Sequence, residues 1–224
     1  MTELILMLTK HDITVPNALD VFEEIKNTGL KFIGCKDIGL SKEKLQELFK
    51  NIKSAGMTTF LEVVSNDEEK HFAGVETAID VGADYLIGGM PQFVGKTLDY
   101  LKSKKTHLKF FPYVGKVVGH PCMLEGDIDE IINQGMEFTR IGAQGINLLL
   151  YRYNGDVNCL LNKAVQKFKS NLIVAGNVDN FEKIKRLKRE NVWAFTIGGA
   201  ILERKLVPGK TIKEQVIAVL RQLR

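Results

Sequence analysis

The chain has 224 residues, of which 45% are hydrophobic and 26% charged, proportions typical of a water-soluble globular protein. Its apolar runs are far shorter than the roughly 18 residues of a membrane span, and a formal net charge of +4 is too small to indicate a nucleic-acid-binding surface. We therefore expect a single domain over residues 1–224, with neither a membrane nor a nucleic-acid partner.

The first residues and the three cysteines suggest where the protein works. Only a short apolar run follows Glu3, and no small-residue cleavage site comes after it, so the start does not have the pattern of a signal peptide. Cys35, Cys122 and Cys159 are widely spaced and form no C-x-x-C pair. This spacing indicates neither a disulfide framework nor a zinc site, and a reducing cytoplasm is expected.

Strand-like and helix-like segments alternate along the whole chain. Short runs rich in β-branched, aromatic and other apolar residues predict strands at 4–8, 31–35, 58–64, 84–88, 108–114, 137–141, 171–175 and 192–197. Residues typical of a helix N-terminus open several of the intervening segments: Pro16, Ser41, Asp127 and Thr211. Glycines are predicted to end the first three of these helices, at Gly29, Gly56 and Gly135.

Eight repeats of a strand followed by a helix predict the fold. Dividing 224 residues by eight leaves about 28 per unit, enough for one strand, one helix and two short loops. Strands that alternate with helices indicate a parallel sheet, and a doubly wound open sheet usually has fewer strands. We therefore expect a closed (β/α)8 barrel in which the first strand pairs with the eighth.

The last two predicted strands both end in glycine. "VAGNVDN" ends the seventh at Gly176 and Asn177, and "TIGGAILE" ends the eighth at Gly198 and Gly199. Phosphate commonly binds to the loops after these two strands of a barrel, where glycine lets backbone N–H groups approach an anion closely. We expect a phosphate site there, although glycine also suits a tight turn between strand and helix for structural reasons alone.

Charged residues near the carboxyl ends of the predicted strands are the candidate catalytic groups. Glu62 and Arg140 each interrupt an apolar strand, and Lys36 and His11 follow the second and first strands. A partly buried Glu62 can act as a general base, Lys36 as an acid or carbonyl polariser, Arg140 as an anion clamp and His11 as an acid or base. The alternative is a structural ion pair of Glu62 with Arg140 or Lys36.

A divalent metal held by His11, Asp37, Glu62 and His120 is a further alternative. The spacings that are characteristic of metal sites are absent from this set of residues. We therefore expect no cofactor. The dense basic run "EKIKRLKRE" at 182–190 has Ile184 and Leu187 at helical spacing, so we interpret it as the solvated face of a helix.

The segment from 172 to 203 resembles the ribulose-phosphate-binding barrels, which include sugar-phosphate isomerases, epimerases and aldolases. "LIVAGNVDNFEKIKRL" is similar to the family's segment of apolar strand, Gly-Gly-Val/Ile and helix, and "TIGGAI" is similar to its second phosphate segment. Asn177 stands where many members have a second glycine. The resemblance covers the whole chain in layout and implies a small phosphorylated sugar as ligand.

A second resemblance concerns the fifth predicted strand. "LKFFPYVGK" at 108–116 looks like the Schiff-base strand of the keto-deoxy-phosphogluconate-type aldolases, and "FLEVV" at 60–64 looks like their catalytic glutamate strand. This would make Lys109 an imine-forming lysine. In those aldolases, however, the lysine strand directly precedes the seventh strand, whereas here another strand-like segment intervenes.

Taken together, these features predict an enzyme that binds a small phosphorylated carbohydrate and performs isomerase, epimerase or aldolase-type chemistry next to a carbonyl. A barrel that senses a phosphosugar without catalysis is the alternative, and the fold does not distinguish the two. Lys36, Glu62 and Arg140 together favour the enzyme. The sequence leaves the oligomeric state open, a homo-oligomer included.

Overall fold

Eight parallel strands form a barrel in the computed structural model, which describes residues 2–119 and 121–224. The strands are β1 (Glu3–Met7), β2 (Phe32–Lys36), β3 (Thr58–Val63), β4 (Tyr85–Gly88), β5 (Lys109–Phe111), β6 (Ile146–Leu148), β7 (Leu172–Val174) and β8 (Ala194–Ile197). Seven of them coincide with predicted strands.

The pairing of β1 with β8 makes one continuous sheet, whose two edge strands are β5 and β6, and hydrogen bonds between these edges close it into a barrel. β1 pairs with β8 in parallel, with Glu3 opposite Ala194. Between β5 and β6, the N–H of Gln144 donates to the carbonyl of Phe110 at 2.9 Å and the N–H of Asn147 to that of Pro112 at 2.8 Å. The predicted (β/α)8 barrel, with its first and last strands as neighbours, is therefore confirmed.

Helices follow the strands on the outside of the barrel. They are α1 (Ala18–Ile25), α2 (Lys42–Ser54), α3 (Glu68–Asp80), α4 (Val94–Ser103), α5 (Ile128–Arg140), α6 (Val157–Phe168), α7 (Phe181–Arg189), α8 (Gly199–Leu202) and α9 (Ile212–Leu223). Single 3₁₀ turns lie at Pro91–Phe93, Leu150–Arg152 and Lys169–Asn171. In the described ranges, no helix has the length and apolar character needed to cross a membrane.

Side-chain caps confirm several predicted helix starts. The side chain of Ser41 accepts a hydrogen bond from the N–H of Lys44, and that of Asp127 accepts from two backbone N–H groups of α5. Thr211 and Glu214 form a reciprocal capping box at the start of α9. Each cap satisfies N–H groups that have no partner within the helix, which is why these short polar residues mark the boundaries.

The predicted strand at 137–141 is wrong, because these residues belong mainly to helix α5. The helix does not stop at Gly135. A Cβ atom on this glycine would lie 2.7 Å from Cζ of Phe168, so glycine is present there for the close packing of α5 on α6. The sixth strand is instead Ile146–Leu148, and a turn through Gly142 precedes it.

Two small hairpins extend the loops above the barrel. Thr9–Lys10 pairs with Ile13–Thr14 directly after β1, and we call this segment the β1 hairpin. Lys116–Val118 pairs with Met123–Glu125 after β5, and we call this segment the β5 hairpin. Both stand at the carboxyl ends of the strands, the end of the barrel at which active sites form.

Aromatic side chains fill the opposite, amino-terminal end of the barrel. Phe60 stacks on Tyr85 with ring centroids 4.5 Å apart, and Phe111 stacks on Trp193 at 5.2 Å. Phe32 contacts both Phe60 and Trp193. This packing closes the lower half of the interior, so a ligand within the barrel has to enter from the carboxyl end.

Candidate active site

A cavity of about 610 Å³ lies above the carboxyl ends of the strands. Lys36 and Glu62, at the ends of β2 and β3, line one side of it. The loops after β7 and β8 line the other side, through Gly176, Asn177, Gly198 and Gly199. Residues from distant parts of the sequence meet here because all strands of a parallel barrel point the same way.

Lys36 lies in a buried cluster with two carboxylates. Its Nζ is 2.7 Å from Oδ1 of Asp12, which stands on the β1 hairpin, and 3.7 Å from Oε2 of Glu62. Lys36 is only 5% exposed and Glu62 7%. The hydroxyl of Thr14 accepts from the N–H of Lys36 and donates to its carbonyl, both at 2.8 Å, which fixes the β1 hairpin against the end of β2.

Tyr113 is the second partner of Glu62. Its hydroxyl donates to Oε1 of Glu62 at 2.7 Å, and the residue is 3% exposed. Gly88, with φ +76°, makes room for this pair: a Cβ atom there would lie 3.2 Å from Cγ of Glu62 and 3.3 Å from Cε2 of Tyr113. Glu62 is therefore held by a hydrogen bond on one oxygen and faces the ammonium of Lys36 with the other.

The pKa values of these groups follow from burial and from neighbouring charge. Burial lowers the pKa of Lys36, but Glu62 and Asp12 outweigh this effect and the pKa is raised above its ordinary value. Burial and the Glu62 carboxylate raise the pKa of Tyr113 well above its ordinary range. At neutral pH the ammonium therefore stays charged, and the tyrosine stays a hydrogen-bond donor.

The predicted phosphate site has an open backbone. Gly176 and Asn177 both adopt left-handed conformations, with φ +80° and +54°. Asparagine tolerates this region better than most residues, which explains how Asn177 adopts a conformation that otherwise favours glycine. Gly199 faces free space, because no described atom outside its chain neighbours and the backbone of its own helix lies within 4 Å of the position of a Cβ atom.

Gly198 has a different reason to be glycine. A Cβ atom there would lie 2.7 Å from the carbonyl oxygen of Thr9 and 3.2 Å from that of Met7. These are backbone atoms of the segment that joins β1 to its hairpin, and they cannot move aside cheaply. The close approach of the β1 segment therefore requires glycine at position 198, whether or not a phosphate binds there.

Arg152 is a site residue that the sequence reasoning missed. It lines the cavity at the end of the 3₁₀ turn after β6. Its Nε is 3.4 Å from Oδ1 of Asn177, and its stem covers Gly176. The apolar run "INLLLYR" contained the signal, a strand followed by an arginine, but assigning the sixth strand to 137–141 concealed it.

Arg140, by contrast, is not part of the site. It lies at the end of helix α5 with its side chain 72% exposed, and its guanidinium makes hydrogen bonds of 2.8 and 2.6 Å to the carboxylate of Glu137. The expectation that it meets Lys36 and Glu62 is wrong, because its segment is helical. Lys36 and Glu62 do converge as expected.

His11 and its neighbours form the rim of the cavity on the side of the loop after β8. His11 occupies the tip of the β1 hairpin with its side chain 79% exposed, and its Nε2 is 3.9 Å from Glu203. Lys10 lies 3.5 Å from the same carboxylate, which also pairs with Lys205. The rim thus carries two ammonium groups around one carboxylate.

The alternative imine-forming lysine, Lys109, lies at the wrong end of the barrel. It is exposed at the start of β5, with Nζ 3.4 Å from the hydroxyl of Tyr85, one of the aromatic residues that close the amino-terminal end. A strand that begins with lysine places that side chain at the face opposite the active site. The aldolase-like placement of Lys109 is therefore wrong.

The alternative metal site is not assembled in the part of the chain that the structure describes. Among residues 2–119 and 121–224, no three His, Cys, Asp or Glu side chains form a group that could hold a metal ion. Oδ2 of Asp37 lies 2.5 Å from where Gly74 of α3 would carry a Cβ atom, outside the cavity. His120, the fourth residue of the alternative, lies outside the described residues.

Solved structures with the same architecture cover essentially the whole chain. Phosphoribosylanthranilate isomerase from Thermotoga maritima matches with a TM-score of 0.67 and 11% identity, over 100% of this chain and 98% of that one. Orotidine 5′-phosphate decarboxylase from Lactobacillus acidophilus matches with a TM-score of 0.66 and 12% identity, over 99% of both chains. N-acetylmannosamine-6-phosphate 2-epimerase from Clostridium perfringens matches at 0.63 and 13%, over 99% and 93%.

Sequence comparison adds nothing to these structural matches, since no family model and no curated protein matches the chain. Identities of this size establish similarity of fold and not of activity. The (β/α)8 barrel predicted from the eight strand–helix units is confirmed across the full length, since the chain shares this fold with all three solved structures.

Proposed function

We propose that the protein is an enzyme that binds a small phosphorylated carbohydrate and performs isomerase, epimerase or aldolase-type chemistry next to its carbonyl. The observation that carries this proposal is a single cavity lined both by the glycine-ended loops after β7 and β8 and by the buried pair Lys36 and Glu62. Its volume of about 610 Å³ lies in the ordinary range for small-molecule sites.

The phosphate of the substrate would bind to the backbone N–H groups around Gly176, Asn177, Gly198 and Gly199. The guanidinium of Arg152, beside Asn177, would add a charged donor suited to a phosphate oxygen. Lys10 and Lys205 stand at the rim on the same side and would attract an anion toward the cavity. We assign His11 to this rim and give it no step in the chemistry.

The carbonyl part of the substrate would lie between Lys36 and Glu62, across the barrel from the phosphate. Glu62 would remove a proton from the carbon next to the carbonyl. The charge of Lys36 would stabilise the oxyanion that develops, an effect that is large where water is excluded. Both residues are almost completely buried, which supports their use in this way.

The architecture supports the proposal in a more general way. Barrels of this type commonly bind phosphate after the seventh and eighth strands and place catalytic groups at the other strand ends. The three structural neighbours described above carry names of enzymes for phosphorylated substrates: an isomerase, a decarboxylase and an epimerase. These names indicate a kind of ligand and leave the reaction open.

A phosphosugar sensor is the competing function. A sensor needs the phosphate loops and a shape-complementary cavity, but it does not need a carboxylate buried beside an ammonium. Burying such groups costs free energy that paired charges rarely recover in full. The cluster around Lys36 and Glu62 therefore favours the enzyme, and a measurement of turnover separates the two functions.

The binding part of the proposal is tested with a matched pair of variants. The side chains introduced by Gly199→Asp and Gly199→Asn have nearly the same shape, and a Cβ atom at this position meets open space. We expect isothermal titration calorimetry with a panel of sugar phosphates to show binding to the wild type and to Gly199→Asn, and loss of binding in Gly199→Asp through charge repulsion. Equal binding by the two variants would place the phosphate elsewhere.

The catalytic part is tested with any sugar phosphate that binds. We expect the wild-type protein to exchange the proton next to the carbonyl for solvent deuterium, observed by NMR, or to convert the compound into an isomer or cleavage product. Binding without exchange or conversion across the panel would favour the sensor.

A further inference from the structure

The cluster around Lys36 contains more negative than positive charge. The carboxylates of Asp12 and Glu62 lie 2.7 and 3.7 Å from its Nζ. If Lys36 were neutral, the buried cluster would carry the two negative charges of its carboxylates. With Lys36 as an ammonium, the cluster carries a net charge of only minus one. Because charge is expensive to bury, the cluster strongly favours the protonated amine.

The groups that act on Lys36 come from three elements. Asp12 approaches from the β1 hairpin, Glu62 from β3 and the thiol of Cys122 from the β5 hairpin. Burial raises the pKa of Cys122, so this thiol adds no negative charge at neutral pH. The hydroxyl of Tyr113 donates to Glu62. Of these groups, the two carboxylates thus determine the charge of the lysine, and both favour the ammonium.

Asp12 is held on Lys36 by a strained turn. His11 and Asp12 at the tip of the β1 hairpin have φ values of +50° and +62°, in a region that side chains other than glycine adopt at a cost of about 1 kcal/mol each. This conformation turns Asp12 back toward Lys36. Strain of this kind persists where the surrounding contacts enforce it and is frequent at functional sites.

We infer that Lys36 works as a fixed cation and not as an imine-forming nucleophile, and that Asp12 is the positioning residue that holds it in this state. This inference rests on the proposed function and narrows it to a class of reaction. The site suits a phosphorylated hydroxy-aldehyde or hydroxy-ketone that undergoes proton transfer, as in isomerisation or epimerisation. It does not suit an aldol reaction through a covalent lysine adduct.

The proton transfer balances without another reactant. Glu62 takes the proton from the carbon next to the carbonyl, and the C–H electron pair becomes the carbon–carbon double bond of an enediolate. The carbonyl electron pair moves onto oxygen, where the ammonium of Lys36 stabilises it. For isomerisation, Glu62 returns the proton to the former carbonyl carbon, and the proton of the neighbouring hydroxyl passes to the oxyanion, so that the carbonyl forms on the neighbouring carbon. For epimerisation, water protonates the original carbon on its other face, the oxyanion becomes the carbonyl again, and Glu62 gives its proton to solvent. An imine would instead require Lys36 to lose its proton and the carbonyl oxygen to leave as water.

The charge of Lys36 is measured directly, without a ligand. Protein labelled with ¹³C and ¹⁵N in its lysines is titrated by NMR, and the Lys36 signal is assigned by its absence from Lys36→Met. We expect this signal to keep the shift of a protonated amine until the exposed lysines have titrated. A Lys36 signal that loses its proton before those of the exposed lysines would overturn the inference.

The role of Asp12 is measured in the same experiment. Asp12→Asn should move the titration of Lys36 to lower pH, because it removes the nearer carboxylate. Asp80→Asn, which breaks an exposed ion pair with Lys42, should leave Lys36 unchanged. If Asp12→Asn folds and Lys36 titrates as it does in the wild type, Asp12 does not hold Lys36 in its charged state and this part of the inference is wrong. If circular dichroism shows that Asp12→Asn does not fold, Asp12→Gly, which also relieves the strained turn, replaces it with the same expected shift.

These outcomes are separate from those of the binding test. If no sugar phosphate of the panel binds, the proposed function is wrong, whatever the charge of Lys36. If a sugar phosphate binds but Lys36 proves to be neutral, the proposed function is still supported and the inference about Lys36 is wrong.

Discussion

Tyr113 donates its hydroxyl hydrogen to Oε1 of Glu62 at 2.7 Å, while Oε2 of the same carboxylate lies 3.7 Å from the ammonium of Lys36. The two oxygens of the proposed base therefore have different surroundings. One is held by a fixed donor, and the other faces a cation across a gap wider than a hydrogen bond. This asymmetry leaves Oε2 as the oxygen available to a substrate.

Glu62→Gln should keep the fold and ligand binding while turnover falls about a hundredfold or more, the usual scale for a positioned acid or base. Glutamine keeps the shape of the side chain and a carbonyl for Tyr113 but cannot take a proton. The measurement is the rate of conversion or proton exchange with a bound sugar phosphate. A lower melting temperature with turnover mostly intact would instead identify a structural ion pair.

Tyr113→Phe should lower the free energy of unfolding by about 1–3 kcal/mol, because it leaves a buried carboxylate oxygen without its donor. Urea denaturation measures this difference. Tyr153→Phe is the matched control, since Tyr153 donates to the carbonyl of Gly126 at 2.8 Å from a more exposed position, and it should cost less. An equal loss of stability in the two variants would show that the Glu62 contact has no special importance.

Arg152→Gln should weaken the binding of a sugar phosphate about tenfold or more, the scale of a lost hydrogen bond to a charged group. Glutamine retains part of the packing over Gly176. Arg140→Gln is the control and should bind as the wild type does, because Arg140 lies on the outer surface of α5. Calorimetric titration of both variants gives the comparison, and a similar affinity for both would remove Arg152 from the phosphate site.

Gly198→Ala should destabilise the protein by about 1–3 kcal/mol, because its methyl group would collide with the backbone of Thr9. Gly199→Ala should be close to neutral or slightly stabilising, since its methyl group enters free space at the start of α8. Thermal and urea denaturation of both variants measure the contrast. Similar stabilities would mean that the β1 segment moves freely away from Gly198.

Asp37 should make stability depend on pH in the weakly acidic range. Burial raises its pKa from 3.8 to about 6 in the folded protein, although its own backbone N–H and Lys36 oppose the shift. The folded state therefore binds the proton more tightly than the unfolded state. The contribution of Asp37 to the free energy of unfolding is complete below about pH 4. As the pH rises through about 6 this contribution is lost, and the free energy of unfolding falls by up to about 3 kcal/mol.

The comparison of wild type with Asp37→Asn isolates this contribution from the other titrating groups. The wild type should lose stability relative to the variant between about pH 4 and pH 6, and the difference should stay constant above that range. Urea denaturation at a series of pH values measures it. A difference that does not change with pH would show that Asp37 is better solvated than its position beside Gly74 implies.

Local patterns in the sequence determined most of the fold. Alternating apolar runs located seven of the eight strands, and short polar residues such as Ser41 and Asp127 located helix starts, because strands and caps depend on neighbouring residues. The order of the strands, together with the glycines at 176 and 198, led to the prediction that the loops after β7 and β8 bind phosphate, and these loops do line the cavity. Lys36 and Glu62 converged because a parallel barrel brings the carboxyl ends of its strands to one face.

The tertiary structure decided what depends on contacts between distant segments. Residues 137–141 have strand-like composition, but the Asp127 cap and the packing of Gly135 against Phe168 continue the helix through them. β6 is a three-residue strand whose bond from Asn147 to Pro112 closes the barrel. Pairings between distant segments leave no local pattern in the sequence. Only the tertiary structure therefore located the sixth strand and showed that Arg140 lies outside the candidate site.

The partners of the candidate catalytic residues were equally invisible in the sequence. Tyr113 lies 51 positions from Glu62 and Asp12 lies 24 from Lys36, and neither separation has a periodicity that a single sequence could reveal. Whether a charged residue at a strand end is a base, a cation or a surface group depends on burial and on the charges opposite it. Those quantities exist only once the strands have closed into a barrel.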